Sequence, residues 1–231
     1  MNQELTRQPI TKAIEDYLKA IYELTAVHGR VSTTQLADRL NITPASVTGM
    51  IQRMAATDPP LVEYQKHRGV LLTDPGQAIA LEIIRHHRLL ELFLHQTLGY
   101  SWDEVHEEAD RLEHVISEDF EERIAQALGN PSHDPHGEPI PTRDLQLPHS
   151  SDTRLSEMRP GQEATVDRVD ATDMVLLRYL SEIGLTPNAE VSILDYSTFD
   201  GNLHLKVGGQ KGSIVLGPGV TRRIFVEKSS G

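Results

Sequence analysis

Cysteine is absent from the 231 residues, which excludes disulfides, thiolate nucleophiles and sulfur-rich zinc or iron–sulfur sites. Long apolar runs are missing too. No stretch approaches the ~18 uncharged apolar residues of a membrane span, and the start, MNQELTRQPITKAIEDY, lacks the apolar core of a secretory signal. A cytoplasmic protein without membrane contact is the expectation. Aromatics are sparse at 5%, with one tryptophan, but apolar residues reach 38%, enough for ordinary cores and against disorder of the whole chain. Positive charge is short as well: 22 Lys+Arg stand against 34 Asp+Glu, a formal charge of −12. The shortage is uneven. Residues 1–75 hold eight of each sign, so the remainder, with 14 against 26, carries the whole excess. Any nucleic-acid surface must therefore lie in the N-terminal third, as a modest basic patch.

What is present falls into three regions. Residues 12–27 place Ile14, Tyr17, Leu18, Ile21 and Leu24 at helical spacing, an amphipathic helix that His28-Gly29 ends. A short helix follows Ser32-Thr33, Asn41-Ile42-Thr43 is a turn, and Pro44 opens a third helix, where its missing N–H costs nothing. Asp58-Pro59-Pro60 breaks that helix. Leu61–Tyr64 and Val70–Thr73 then read as a hairpin with the basic tip Gln65-Lys66-His67-Arg68-Gly69. From Gly76 the pattern is helical to Leu98, and again from about Trp102 to Leu128, on a stripe of Val105, Ala109, Leu112, Val115 or Ile116, Phe120 and Ile124. Six prolines between 129 and 160 mark a loop and linker. Five short strands, with a helical insertion at 173–183, then suggest a small barrel.

Helix, short helix, turn, Pro-capped helix and hairpin, in that order, is a winged helix-turn-helix. Its recognition helix would present Thr43, Ala45, Ser46, Thr48, Gly49, Gln52 and Arg53 to the major groove, with Lys66, His67 and Arg68 on backbone phosphates. Helix-turn-helix units also serve as protein-interaction modules, and Ser or Thr at a helix start also simply caps it.

A second pattern concerns metal. Five of the eleven histidines and eleven of the 34 acidic residues fall between His86 and Glu122. His87 and Glu91 stand at i, i+4, while His106, Asp110, Glu113 and His114 stand at i, i+4, i+7 and i+8, one stripe down one helix face. Spacing alone leaves metal binding level with surface hydrogen bonding. Nitrogen and oxygen donors without sulfur favour Mn²⁺ or Fe²⁺, with Zn²⁺ and Co²⁺ able to substitute. His86 lies on another face and reads as solvated. His95, His133, His136 and His149 have no carboxylate in register and read as bland.

Together, Glu15–Tyr22, Arg85–Glu91, His106–His114 and Asp134–Pro141 resemble the diphtheria toxin repressor family, over about residues 10–145 and in order. The C-terminal third matches only in type, as that family's SH3-like domain, and the manganese-responsive branch is the nearest in character. The resemblance implies a mainly α fold with a small β domain. Its parts would be a winged helix-turn-helix at 1–75, a helical metal-binding and dimerisation domain at 76–145, a linker at 146–158 and an SH3-like barrel at 159–231. It also implies two metal positions, one from Asp16, Asp110, Glu113 and His114, the other from His87, Glu91 and His106. Asp167, Asp170 and Asp173 are the C-terminal candidates to complete the second.

Iron-responsive relatives carry Met and Cys where this chain has Asp16 and Asp110, so the harder donor set points to Mn²⁺. Manganese regulators more often carry Glu at the Asp110 position, and the shorter aspartate leaves direct and water-mediated ligation both open. The short manganese regulators also place a Glu three residues after the helix-1 Asp. Lys19 stands there instead, against a closely spaced metal pair. The expectation is a metal-activated homodimeric repressor of palindromic operator DNA, with no small-molecule substrate. The alternatives are the same repressor sensing Fe²⁺, a regulator with an organic ligand and structural histidines, and, from another class, a metallohydrolase, for which no nucleophile or general acid stands out.

Overall fold

The computed structural model describes residues 10–229, apart from the side chains of Val27 and His28. Helix α1 (Lys12–His28) buries Ile14, Tyr17, Leu18 and Ile21, the stripe that its spacing sets. Ser32 caps α2 (Thr33–Leu40) through a reciprocal bond with Gln35, and Asn41 ends it in the left-handed conformation. Thr43 caps α3 (Pro44–Ala55), whose Val47, Ile51 and Met54 face inward. Strands β1 (Val62–Gln65) and β2 (Gly69–Leu72) pair antiparallel from Val62↔Leu72 to Gln65↔Gly69. These elements enclose one core that includes Leu18, Ile21, Leu36, Val47, Ile51, Met54 and Val70.

Helix α4 (Asp74–Leu98) runs 25 residues. Beyond it, the single helix expected over 102–128 is two helices, α5 (Val105–Leu112) and α6 (Glu118–Ala127). Ser117 takes extended backbone and accepts the Phe120 N–H, starting α6 afresh. The expected stripe splits accordingly. Val105, Ala109 and Ile124 are buried with Leu89, Leu90, Leu94 and Ile140, whereas Val115 is 74% and Phe120 46% exposed.

The C-terminal region forms a five-stranded antiparallel sheet in the order β6-β5-β4-β3-β7. Its strands are β3 (Glu163–Val169), β4 (Glu190–Tyr196), β5 (Leu203–Val207), β6 (Ile214–Leu216) and β7 (Ile224–Lys228), with α7 (Met174–Glu182) inserted after β3. Alternation fills the core: Leu203, Leu205 and Val207 of β5 join Val166, Val191, Ile193, Leu177, Leu180 and Val226. Trp102 belongs to this core. Gly137, at φ +86°, lies so close to β3 that a Cβ would collide with the Asp167 carbonyl. Only glycine fits there.

By compactness the chain forms two units. One comprises the residues up to His86 with Glu113–Val115 and Arg143–Leu145, the other His87–Leu112, Ile116–Thr142 and Gln146 onward. Helix α4 is continuous through the change at His86–His87.

Candidate metal centres and the candidate DNA-reading face

In the first unit, α3 turns Val47, Ile51 and Met54 inward and leaves Thr43, Ala45, Ser46, Gly49, Gln52 and Arg53 exposed, with Thr48 half-buried. Part of that polarity is spent locally. The Thr43 hydroxyl accepts the Ser46 N–H at 3.3 Å, and Thr48 Oγ1 donates to the Pro44 carbonyl at 2.9 Å. Lys66, His67 and Arg68 are exposed at the hairpin tip, where His67 takes positive φ. The unit thus exposes a small-residue helix face and, at the hairpin tip, two cations.

A first ligand set gathers at α1. Glu113 and His114 follow the end of α5, so they do not continue the His106–Asp110 face as the expected single stripe would have it. Instead, His114 Nδ1 donates to Glu15 Oε2 at 2.6 Å, while its Nε2 faces Asp16 Oδ1 at 2.9 Å and Glu113 Oε1 at 3.2 Å. In that tautomer three acceptors, one imidazole nitrogen and two carboxylate oxygens, converge, and either a bound cation or a second proton on the imidazole satisfies them. Asp16, Glu113 and His114 each bring a ligand atom within 4.8 Å of the others. Lys19 joins from the next turn of α1, its Nζ 2.7 Å from Glu113 Oε2. His86, expected to be solvated, is buried and bonds the Glu113 carbonyl at 3.0 Å.

The second unit holds two more sets, joined at one residue. His87 Nε2, His106 Nδ1 and Glu91 Oε1 lie 3.0–3.1 Å from one another. Ligand atoms ~2.1 Å from a cation and at right angles to each other stand ~3.0 Å apart, so this triangle has the dimensions of one face of a coordination shell. Asp110, which the resemblance places with Asp16, stands here with His87 Nδ1 at 3.2 Å and His106 Nε2 at 3.6 Å. The end of α5 at Leu112 is the reason: His106 and Asp110 share its face, and Glu113 and His114 do not.

The third set is Glu91, Asp134 and His136, all buried. His136, expected to be bland, has no exposed surface. Its Nε2 donates to the Trp102 carbonyl at 2.7 Å, and its Nδ1 has no hydrogen-bond partner, facing Glu91 Oε2 at 3.7 Å and Asp134 Oδ1 at 3.9 Å. A carbonyl on one nitrogen and carboxylates ahead of the other is how a protein presents a histidine ligand. The sequence signal was only the Asp-x-His spacing in the 134–136 loop, whose partner Glu91 is far away along the chain.

The electrostatics of the third set are those of confined charge. Burial works to raise Glu91, but the His87 charge, the bonds from His106 and His87 and the nearby His136 ring outweigh it and hold the carboxyl well below its usual range. Asp134 is pushed up to about 7 by burial and by Glu91. Burial works to lower His136, yet Glu91, Asp134 and the Trp102 carbonyl bring it up to about 9. The donor set of all three clusters fits a divalent cation of intermediate hardness.

The C-terminal candidates have other work. Asp173 caps α7, accepting from the Val175 and Leu176 N–H groups at 3.0 and 3.1 Å, and pairs with Arg223 at 2.9 Å. Asp170 accepts from Thr172 and from Arg223 Nε at 3.1 Å. Asp167 accepts from Ser150 and the Ser151 N–H. None of the three stands in a ligand cluster among the described residues. His95 bonds the Tyr100 carbonyl at 2.8 Å, and His149 is exposed.

Comparison with known proteins matches this order of parts. Residues 9–70 match the iron-dependent repressor N-terminal DNA-binding domain, residues 73–142 the iron-dependent repressor metal-binding and dimerisation domain, and residues 153–228 the FeoA domain. The iron-dependent repressor IdeR of Mycobacterium tuberculosis is 32% identical over 226 residues, 93% of this chain and 96% of the relative. That of Mycobacterium leprae is 34% identical over 191 residues, 78% of this chain and 82% of the relative. Among solved structures, a manganese-dependent transcriptional repressor in complex with manganese superposes with a TM-score of 0.86 at 36% identity, covering 94% of this chain and all of that one. ScaR with bound Zn²⁺ gives 0.78 at 35% identity, over 94% and 99%. Members of this group are repressors rather than enzymes, with DNA-binding and dimerisation domains. No helix among the described residues is long and apolar enough to cross a membrane. With likeness of that extent along nearly the whole of both chains, and each domain matched in order, the chain belongs to the diphtheria toxin repressor family of metal-dependent transcriptional repressors.

Proposed function

We propose that this repressor is activated by Mn²⁺ in the cytoplasm and binds a palindromic operator as a homodimer. The observation that carries the reading is the first ligand set. Asp16 lies in the segment matched as the DNA-binding domain, Glu113 and His114 in the segment matched as the metal-binding and dimerisation domain, and their ligand atoms converge. A divalent cation there would supply the charge that lets two carboxylates and an imidazole stand together. Asp16 anchors α1, Glu113 and His114 anchor the dimer-forming segment, and Glu15 holds the His114 ring in the ligating tautomer. Two reading heads held at one separation match half-sites about one DNA turn apart, ~34 Å. With the carboxylates unbalanced, the heads sample other separations. A hundredfold preference of the ion for the DNA-competent state contributes ~2.7 kcal/mol to the shift.

Within this reading, Ala45, Ser46, Gly49, Gln52 and Arg53 approach the major groove and Lys66 and Arg68 the phosphates, all on an exposed face. His87, Glu91 and His106, with Asp110 on the other ring nitrogens of the two histidines, and Glu91 again with Asp134 and His136, are further candidate ion positions. The functional division is a reading head at 1–75, a metal-binding and dimerisation domain at 76–145, a linker at 146–158 and an SH3-like domain beyond. Manganese is favoured over iron because every donor is oxygen or nitrogen. The iron-named relatives make Fe²⁺ the competing ion.

The test is fluorescence anisotropy with the chain's own upstream DNA at fixed salt, comparing chelator, Mn²⁺ and anaerobic Fe²⁺. Binding only with metal, stronger with Mn²⁺, is expected. Asp16→Ala is expected to lose the metal dependence while remaining dimeric. Equal binding in chelator, or an Asp16→Ala protein that still gains affinity with Mn²⁺, refutes the mechanism.

A further inference from the structure

We infer that a cavity between the end of α4, the 133–137 loop and the β sheet is a binding site for a small neutral organic molecule that offers a carbonyl or ring-nitrogen acceptor. The site lies wholly within the second unit, and its ligand is additional to any activating ion.

The cavity measures about 580 Å³, inside the ~300–1,000 Å³ usual for small-molecule sites. Helix α4 supplies Leu92 and Gln96, β3 supplies Val166, and the stretch between α7 and β4 supplies Pro187. Trp102 and His133 complete the lining that matters here. The apolar members give a ligand surface to bury, and the polar ones give it direction.

Both Trp102 and His133 carry a nitrogen that no protein group satisfies. Trp102 is 7% exposed, and its Nε1–H is buried without an acceptor. His133 Nε2 is buried without a partner too, while its Nδ1 stands 2.9 Å from Ser132 Oγ. Orphaned buried polar atoms are few in native proteins, and each calls for a partner. The remainder of Trp102 is engaged. Its ring stacks on His136 with centroids 5.6 Å apart, and its carbonyl accepts from His136 Nε2 at 2.7 Å. The indole is thereby held in place beside the cavity.

An indole N–H only donates, so the ligand must bring an acceptor, whereas His133 Nε2 serves as donor or acceptor according to tautomer. The charge of the lining selects among acceptors. Asp134, Asp167 and Glu227 line the cavity, and no lysine or arginine does. A phosphate or carboxylate would face three acidic side chains with no compensating cation. What fits is a neutral carbonyl oxygen or heterocyclic nitrogen, on a molecule whose own N–H groups face the acidic side chains. Planar amides and nucleobase-like heterocycles have that pattern.

The experiment uses the full-length chain labelled with ¹⁵N and kept in chelator, so that its outcome does not depend on the metal reading. The single tryptophan gives one indole Nε1–H signal. Uracil, adenine and nicotinamide are the neutral probes, with benzoate and inorganic phosphate as anions. Expected is a saturable downfield movement of the indole proton with at least one neutral probe, and none with either anion at the same concentration. Gln96→Tyr, which narrows the cavity from an exposed helix position, and His133→Ala are each expected to weaken that binding at least fivefold while the rest of the spectrum stays in place. An indole signal that no neutral probe moves overturns the inference, since water alone then satisfies the nitrogen. It is overturned equally by a signal that only the anions move, or by a response that both variants leave intact.

Discussion

Asp134→Asn should stabilise the metal-free protein and weaken its response to metal. The Asp134 carboxyl sits at about 7 because burial and the Glu91 charge oppose its ionisation, against ~3.9 in an unfolded chain. An acid raised on folding favours the native state below its unfolded value and loses that advantage as pH climbs through its folded value. Taken alone, a displacement of three pH units is worth ~4 kcal/mol of lost stability above pH 7. Asparagine avoids ionisation and keeps an oxygen for the His136 and Glu138 N–H groups, which Asp134 Oδ1 accepts at 2.8 and 3.0 Å. It forfeits the attraction of the carboxylate to His136 and Arg88. The net gain expected is therefore smaller, about 1–3 kcal/mol at pH 8, shrinking toward zero near pH 4. Urea unfolding in chelator, followed by the fluorescence of Trp102, reads this directly, since Trp102 is the single tryptophan and stacks on His136 with ring centroids 5.6 Å apart. Saturating Mn²⁺ should offset most or all of that gain. Losing one anionic ligand costs the variant ten- to a hundredfold in affinity, ~1.4–2.7 kcal/mol. A variant less stable than the parent in chelator at pH 8, or one stabilised equally by Mn²⁺, refutes the account of this cluster.

Glu15→Gln should weaken Mn²⁺ at the Asp16 cluster by ten- to a hundredfold, because it removes the anionic partner of His114 Nδ1 and leaves every ligand in place; calorimetric titration decides it, and an unchanged affinity refutes the role. Asp173→Ala should lower the melting temperature through loss of the α7 cap and the Arg223 pair, while Mn²⁺ per chain stays the same. A lost ion would restore Asp173 as a ligand. Gly137→Ala should destabilise by more than ~2 kcal/mol, since positive φ and the Asp167 carbonyl both oppose a Cβ; chemical unfolding is the check.

What could be read in the sequence follows from how local each signal is. Helices α1 to α3 and the hairpin were legible because apolar spacing, the Ser32 and Thr43 caps and Pro44 all lie within a few residues of what they specify. The break after α5 was also written locally, as Ser117 followed by Glu118, Asp119 and Glu121, an N-cap with an acidic first turn. It was masked because His106, Asp110, Glu113 and His114 fit helical spacing so well. That spacing turned out to serve two clusters. His106 and Asp110 use the helix, and Glu113 and His114 use its end.

The third cluster was beyond periodicity altogether. His136 sits in a loop, and only the packing of that loop brings its Nδ1 to Glu91. Glu91 was read correctly as the i+4 partner of His87, but spacing on one helix can describe only one of its oxygens. Oε1 meets His87 and His106, and Oε2 turns to His136. A carboxylate shared in this way makes the two sets interdependent, because a cation drawing on one oxygen changes the charge that the other can offer. The same logic holds at Glu113, where one oxygen serves the imidazole and the other the ammonium of Lys19. Two buried glutamates, each divided between partners, therefore link the groups on either side of them. Single-helix spacing could locate both residues, and only the fold could show the second oxygen's partner.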